Sequence, residues 1–122
     1  MIFLSGLSHF LRTALALIAA FVVLDGDTIR APYGVTYRLT GFDTPETFRA
    51  QCEGERILGL AAKVRMEQLV ASANVRVEEA GRLDKYGRTL ARLWINGEDA
   101  ATIMIREGYA RAYHGGKRKG WC

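Results

Sequence analysis

Short runs of alternating apolar and polar residues, cut by polar clusters at turn-like positions, commit most of this chain to brief strands. The clusters are Asp25-Gly26-Asp27-Thr28, then Arg38 running into Asp43-Thr44-Pro45-Glu46, then Asp84-Lys85-Tyr86-Gly87-Arg88. Residues 21–24 and 28–31 read as strands on either side of the Asp-Gly turn, and Pro32-Tyr33-Gly34 turns the chain into a third strand over 35–42. In that strand Val35, Tyr37 and Leu39 share one face. Thr36 and Arg38 take the other, so Arg38 is expected to point away from the main apolar layer.

From 55 to 72 the period becomes helical, with Ile57, Leu60, Ala61 and Val64 on one stripe that Gln68 interrupts. Alternation resumes at Val75-Arg76-Val77. A further strand over 88–95 is closed by Asn96-Gly97, a pair suited to a tight hairpin. Asp99 is placed to cap a short helix with Ala100, Ile103 and Met104 inward, and Gly108 to end it. Three strands, a helix, two strands and a helix predict an α+β, mainly β domain, a small antiparallel barrel with two flanking helices. At 122 residues and 49% hydrophobic, the chain supports one core rather than two.

Residues 10–24 read FLRTALALIAAFVVL, with Arg12 as the single charge, too short for a comfortable membrane span before Asp25. The stretch reads as the apolar region of a signal peptide, with Ala14, Ala16, Ala19 and Ala20 as small residues near a cleavage site. It reads nearly as well as an N-terminal segment that packs on the core. Residues 1–20 are therefore a signal peptide or apolar N-terminal segment, and 21–122 the folded domain. Export to the periplasm or the medium is the expectation; a tether through an uncleaved N-terminus and a cytoplasmic location are the alternatives.

Cys52 and Cys122 have neither CxxC spacing nor histidines at zinc-finger intervals, which argues against a structural zinc site and leaves them either free or paired. His9 and His114 have no partner spacing for a metal. The formal charge of +4 favours contact with polyanions without deciding a mechanism. The clusters say more. Carboxylate oxygens suit a hard divalent cation, and guanidinium donors suit a phosphodiester that gains negative charge in its transition state. Together they point to metal-assisted phosphoryl chemistry on a polyanion.

The strings DGDT, YRLTGFDTPE and DKYGRTLA, in this order and at these separations, resemble the staphylococcal nuclease (thermonuclease) family over residues 22–112. The resemblance implies a five-stranded OB-type barrel with flanking helices. It implies a calcium-dependent, sugar-non-specific nuclease that hydrolyses DNA and RNA and leaves 3'-phosphates. Asp27 and Asp43 then resemble the calcium carboxylates, with the Thr44 carbonyl as a further ligand and Asp25 orienting the metal's waters. Glu46 resembles the general base that takes a proton from the attacking water. Arg38 and Arg88 resemble the two arginines that grip the scissile phosphate. Lys85, Tyr86 and Tyr113 are substrate-binding candidates, although Lys85 and Tyr86 also suit the turn before Arg88. A monomer is expected.

After Ala112 the chain departs from the family pattern. Well-known members continue through a tyrosine-bearing segment and a third helix, where this short form has Tyr113-His114-Gly115-Gly116-Lys117-Arg118-Lys119-Gly120-Trp121-Cys122. A Cys52–Cys122 bridge is the expected replacement fastening, contributing roughly 4 kcal/mol by loop entropy. It would carry Lys117, Arg118 and Lys119 toward the phosphate path. Two other readings stay open: an OB-type module that holds single-stranded nucleic acid without cutting it, and an accessory protein of the kind labelled for exopolysaccharide biosynthesis.

Overall fold

The computed structural model describes residues 20–122, so the N-terminal 1–20 segment lies, but for Ala20, outside the described residues. The elements in order are β1 (Val22–Asp25), β2 (Thr28–Arg30), β3 (Thr36–Leu39), β4 (Gly41–Asp43), α1 (Glu53–Val70), β5 (Val75–Leu83), β6 (Thr89–Ile95), β7 (Glu98–Asp99), α2 (Ala100–Arg106) and β8 (Arg111–Tyr113). The main sheet runs β1-β2-β3-β6-β5, with β7 paired to β6, and β4 and β8 form a separate pair. The fold is α+β of the OB type, mainly β with two helices. It is not wholly antiparallel as expected, because β3 and β6 run parallel, Tyr37 opposite Thr89 and Leu39 opposite Ala91.

Local chemistry explains most boundaries. Asn96 and Gly97 both take positive φ, 49° and 84°, the geometry of a two-residue hairpin turn whose twist matches its strands. Asp99 accepts a hydrogen bond from the Ala101 amide at 2.9 Å and caps α2, which buries Ala100, Ile103 and Met104. Tyr37, Ile29, Leu39, Phe42, Leu93, Met66 and Met104 are all but fully buried and form the core between sheet and helices.

Two expectations fail instructively. The strand expected over 35–42 breaks after Leu39. The Thr40 amide bonds the Ala91 carbonyl at 2.9 Å, Gly41 takes φ +94°, and β4 leaves the sheet to pair with β8, a strand too short to show any periodicity. The buried face of α1 is Glu55, Gly59, Ala62, Met66 and Leu69, not the expected Ile57, Leu60, Ala61 and Val64. Ile57 is 57% exposed and Val64 52%. Small residues decide this face: Gly59 lets the helix axis come so close to the preceding loop that a Cβ there would overlap the Glu46 carbonyl and lie 3.0 Å from the Pro45 oxygen.

Cys52 and Cys122 form a disulfide across 70 residues, with Cα atoms 6.0 Å apart. Cys52 is also the N-cap of α1, its sulfur accepting from the Glu55 amide at 3.4 Å. Among the described residues no helix is long and apolar enough to cross a membrane.

Two stability measurements test this packing. Gly54, on the open side of α1 with nothing near its absent Cβ, should tolerate alanine with a gain of up to about 1 kcal/mol. Gly59→Ala should instead cost about 1–3 kcal/mol in urea unfolding; a gain at both positions would contradict the close approach. Replacing both cysteines with serine should lower stability by up to roughly 4 kcal/mol, and a transition unmoved by the double substitution would show that the bridge restrains nothing in the unfolded chain.

Candidate active site

Three elements meet at one buried cluster of charge. Asp27 stands at the entry to β2, Arg38 in the middle of β3 and Asp43 at the end of β4. The register that sets Thr28 opposite Arg38 brings β2 and β3 together, and the break at Gly41 returns Asp43 to the same place. One Arg38 nitrogen, Nη2, lies 3.3 Å from Asp27 Oδ2 and 3.6 Å from Asp43 Oδ1. Its other terminal nitrogen donates to the carbonyls of Leu39 and, at 3.2 Å, Phe42. Arg38 does leave the apolar layer, as its position in the alternation required, but it enters a buried nest of acids rather than solvent.

Gly26 makes the approach of this turn to α1 and Thr44 feasible, since a Cβ there would lie 2.9 Å from both Ala62 Cβ and Thr44 Cγ2. The Thr44 amide then donates to Asp27 Oδ2 at 3.1 Å. Burial pushes the Asp43 carboxyl above the usual carboxylate range; Arg118 opposes that rise, while the charge of Asp27 adds to it.

Glu46 sits on the loop between β4 and α1, and that loop is held from three sides. Asp25 accepts from the Thr47 hydroxyl at 2.6 Å and from its amide at 3.2 Å. Burial raises the Asp25 carboxyl, with Glu46 and Asp27 adding repulsion against the Thr47 hydrogen bonds. Buried Glu55 accepts from the Glu46 amide at 3.0 Å and the Gln51 amide at 2.8 Å. Gly59 admits the Glu46 backbone against α1. The described partners of Asp25 thus belong to the Glu46 loop.

Arg88 precedes β6 and is tied to its own turn, Nε donating to Asp84 Oδ2 at 2.7 Å. Burial opposes ionisation of Asp84, but bonds from the Arg88 amide and side chain and the Tyr86 amide prevail and hold its carboxyl below the usual range. Arg88 lies 5.4 Å and Lys85 5.2 Å from the Tyr86 ring, which is exposed. Tyr113, opposite Gly41 in the β4–β8 pair, lies 5.9 Å from the Arg38 guanidinium. Arg38, Lys85, Tyr86, Arg88 and Tyr113 line one open groove, and Arg118 completes its wall.

The C-terminal segment supplies a contact that the sequence offered only for the Lys117-Arg118-Lys119 run as a whole. Arg118 reaches Asp43 Oδ1 at 2.7 Å, Glu46 Oε1 at 2.8 Å and the Thr44 carbonyl at 3.4 Å. Burial works against its charge, but the bonds to Glu46 and Asp43 more than offset it and hold the guanidinium protonated. Trp121 Nε1 lies 3.3 Å from Asp43 Oδ2, and its ring lies 3.7 Å from the guanidinium of Arg111, the residue opposite Asp43 in the strand pair. Lys117 and Lys119 form no ion pair among the described residues. The one available hint for Glu55 was its position three residues after the helix cap, where an acid can reach back to loop amides. Nothing local marked Arg118 apart from its neighbours.

Asp27, Asp43 and the Thr44 carbonyl are all hard oxygen donors, and the buried Asp43 Oδ1 has no aligned hydrogen bond despite two guanidiniums nearby. In donor chemistry the set fits a hard divalent cation. Among the described residues no group of three or more acid, histidine or cysteine side chains converges.

Residues 36–120 match the family model described as staphylococcal nuclease homologue. The chain is 36% identical over 93 residues to SPbeta prophage-derived endonuclease YokF of Bacillus subtilis, covering 72% of this chain and 31% of that protein. It is 36% identical to endonuclease YncB of the same organism, over 72% of this chain and 44% of that one. It is 37% identical to a thermonuclease of Staphylococcus intermedius, over 74% and 55% respectively. The chain therefore spans only about a third to just over half of these relatives. With a match that takes in β3 through the C-terminal segment, the chain belongs to the staphylococcal nuclease homologue family.

Proposed function

We propose that this domain is a nuclease that hydrolyses phosphodiester bonds in DNA and RNA with the help of a calcium ion. The observation that carries this reading is the meeting of Asp27, Arg38 and Asp43, with Arg38 itself lining a groove that bears further cations and aromatic rings. Such a groove suits a flexible polyanion, whose phosphates find guanidiniums and whose bases find ring faces. The names of the relatives, an endonuclease and a thermonuclease among them, support the same chemistry.

In this reading Asp27, Asp43 and the Thr44 carbonyl would hold the cation, which when bound would supply positive charge beside the scissile phosphate. Arg38 and Arg88 contact that phosphate, and their planar donors follow charge onto its oxygens as the nucleophile adds. Glu46 orients the attacking water and accepts its proton. Asp25, Glu55 and Gly59 act on the reaction only through the loop that carries Glu46. Tyr86, Lys85 and Tyr113 flank the chain of nucleotides. The domain acts as a monomer and is exported; the disulfide supports export, since such bonds persist in oxidising compartments.

Digestion of plasmid and of single-stranded oligonucleotide, with calcium and with chelator, tests the proposal. Calcium-dependent cleavage is expected, with a loss of about 10²–10⁴-fold in Glu46→Gln. Binding without cleavage under any cation would leave an OB module and remove the enzyme. Arg38→Lys should cost about 10²–10³-fold in kcat, because one ammonium cannot reproduce the planar fork; full activity would take Arg38 out of the phosphate site.

A further inference from the structure

We infer that Arg118 is a third phosphate-binding arginine of this site, delivered by the C-terminal segment and held in reach by the Cys52–Cys122 bridge. The inference deepens the nuclease reading and rests on it. Of the three cations in the Lys117-Arg118-Lys119 run, Arg118 alone touches the charge cluster, spanning Asp43 at 2.7 Å and Glu46 at 2.8 Å. Its side chain is still 37% exposed, on the wall of the groove that Arg38 and Arg88 also line. A bound phosphate can reach it.

The donor count explains why a third arginine is useful. Arg38 spends one terminal nitrogen on two carbonyls and the other on two acids, and Arg88 has its Nε on Asp84. Arg38 therefore keeps only its Nε for a phosphate, whereas both terminal nitrogens of Arg88 stay open, so a third arginine adds donors on the side where Arg38 is already engaged. Arg118 directs Nη1 to Glu46 and Nη2 to Asp43 and the Thr44 carbonyl, which leaves Nε and the second N–H of Nη1 to spare. It also holds the Glu46 carboxylate at 2.8 Å, so it touches substrate with one side of its plane and orients the base with the other.

The segment is anchored on both sides of Arg118. Before it, the Tyr113 hydroxyl donates to the Gly116 carbonyl. After it, Arg111 donates to the carbonyls of Lys119 and, at 3.1 Å, Gly120, Trp121 covers Arg111, and Cys122 is bonded to the cap of α1. A covalent tether at that end converts binding of this arginine from a matter of chance encounter into a local rearrangement.

Affinity for a single-stranded oligonucleotide, measured against salt in chelator, reads the phosphate contact without any cleavage. Arg118→Gln should flatten the logarithmic slope by roughly 0.7, and Lys119→Gln by less. No change in Arg118→Gln, or equal changes in the two, overturns the proposal. In the cleavage assay Arg118→Gln should lower kcat/KM by about 10²-fold, with Arg118→Lys recovering only part. A rise in cleavage would make the arginine a plug and defeat the idea. Cys122→Ser should reproduce the loss, and the double variant should lose no more than either single one; additive losses would mean the bridge acts elsewhere. Arg118→Gln keeps the disulfide, so poor folding of Cys122→Ser leaves the first comparison intact. If the unaltered protein cuts nothing, the nuclease reading fails while the salt slopes still decide the role of Arg118.

Discussion

Pairing of Arg38 with Asp27 and Asp43 is the constraint around which the rest of the molecule is arranged. Two carboxylates and a guanidinium withdrawn from water are costly by several kilocalories per ion unless each is matched closely. The match requires β2, β3 and β4 to end within a few ångströms of one another. That requirement accounts for the parting of β4 from the main sheet at Gly41, the short β4–β8 pair that receives it, and the close seating of the Asp25-Gly26-Asp27 turn on Thr44 and Ala62. A structure optimised for stability alone would fill this region with apolar side chains. The retained charge is better understood as equipment for binding a charged ligand.

Around that cluster, the Glu46 loop is organised by polar contacts rather than by burial of large side chains. Asp25, Glu55 and the missing side chain of Gly59 each contact its backbone or that of its neighbours. Such a loop is fixed at its bonded amides, and its Glu46 carboxylate is held in turn by Arg118. The same logic extends to the C-terminal segment, where Trp121, Arg111 and the disulfide hold a short stretch with no helix or strand of its own beyond β8. Cys52 serves both regions, capping α1 with its sulfur and fastening the tail, so the Glu46 loop and the tail share one anchor.

The groove brings Arg38, Arg88, Tyr113 and Arg118 onto one surface. Its cationic side chains, Arg38, Lys85, Arg88 and Arg118 among them, outnumber the acids Glu78, Glu79, Asp84 and Asp99 that also line it, which gives the surface a net positive charge. Family membership and this distribution of charge agree, although they are independent kinds of observation.

Much of this was legible in the residues themselves. The alternation, the turn pairs Asp25-Gly26 and Asn96-Gly97, the Asp99 cap and the three polar strings are local signals, and local backbone preferences determine them wherever the chain folds; they were enough for an α+β barrel and for the family. The face that α1 buries was not legible, because hydrophobic periodicity favoured the larger Ile57, Leu60 and Val64, while the distance of closest approach favoured Gly59 and Ala62. Nor was the role of Glu55, or the choice of Arg118 over Lys117 and Lys119, since each depends on a partner far away along the chain and a few ångströms away in space. The amino-acid order settled which groups exist and which short elements form. Only the tertiary structure decided which of them share one desolvated volume, because charge pairing and close packing act between surfaces that sequence neighbours never see.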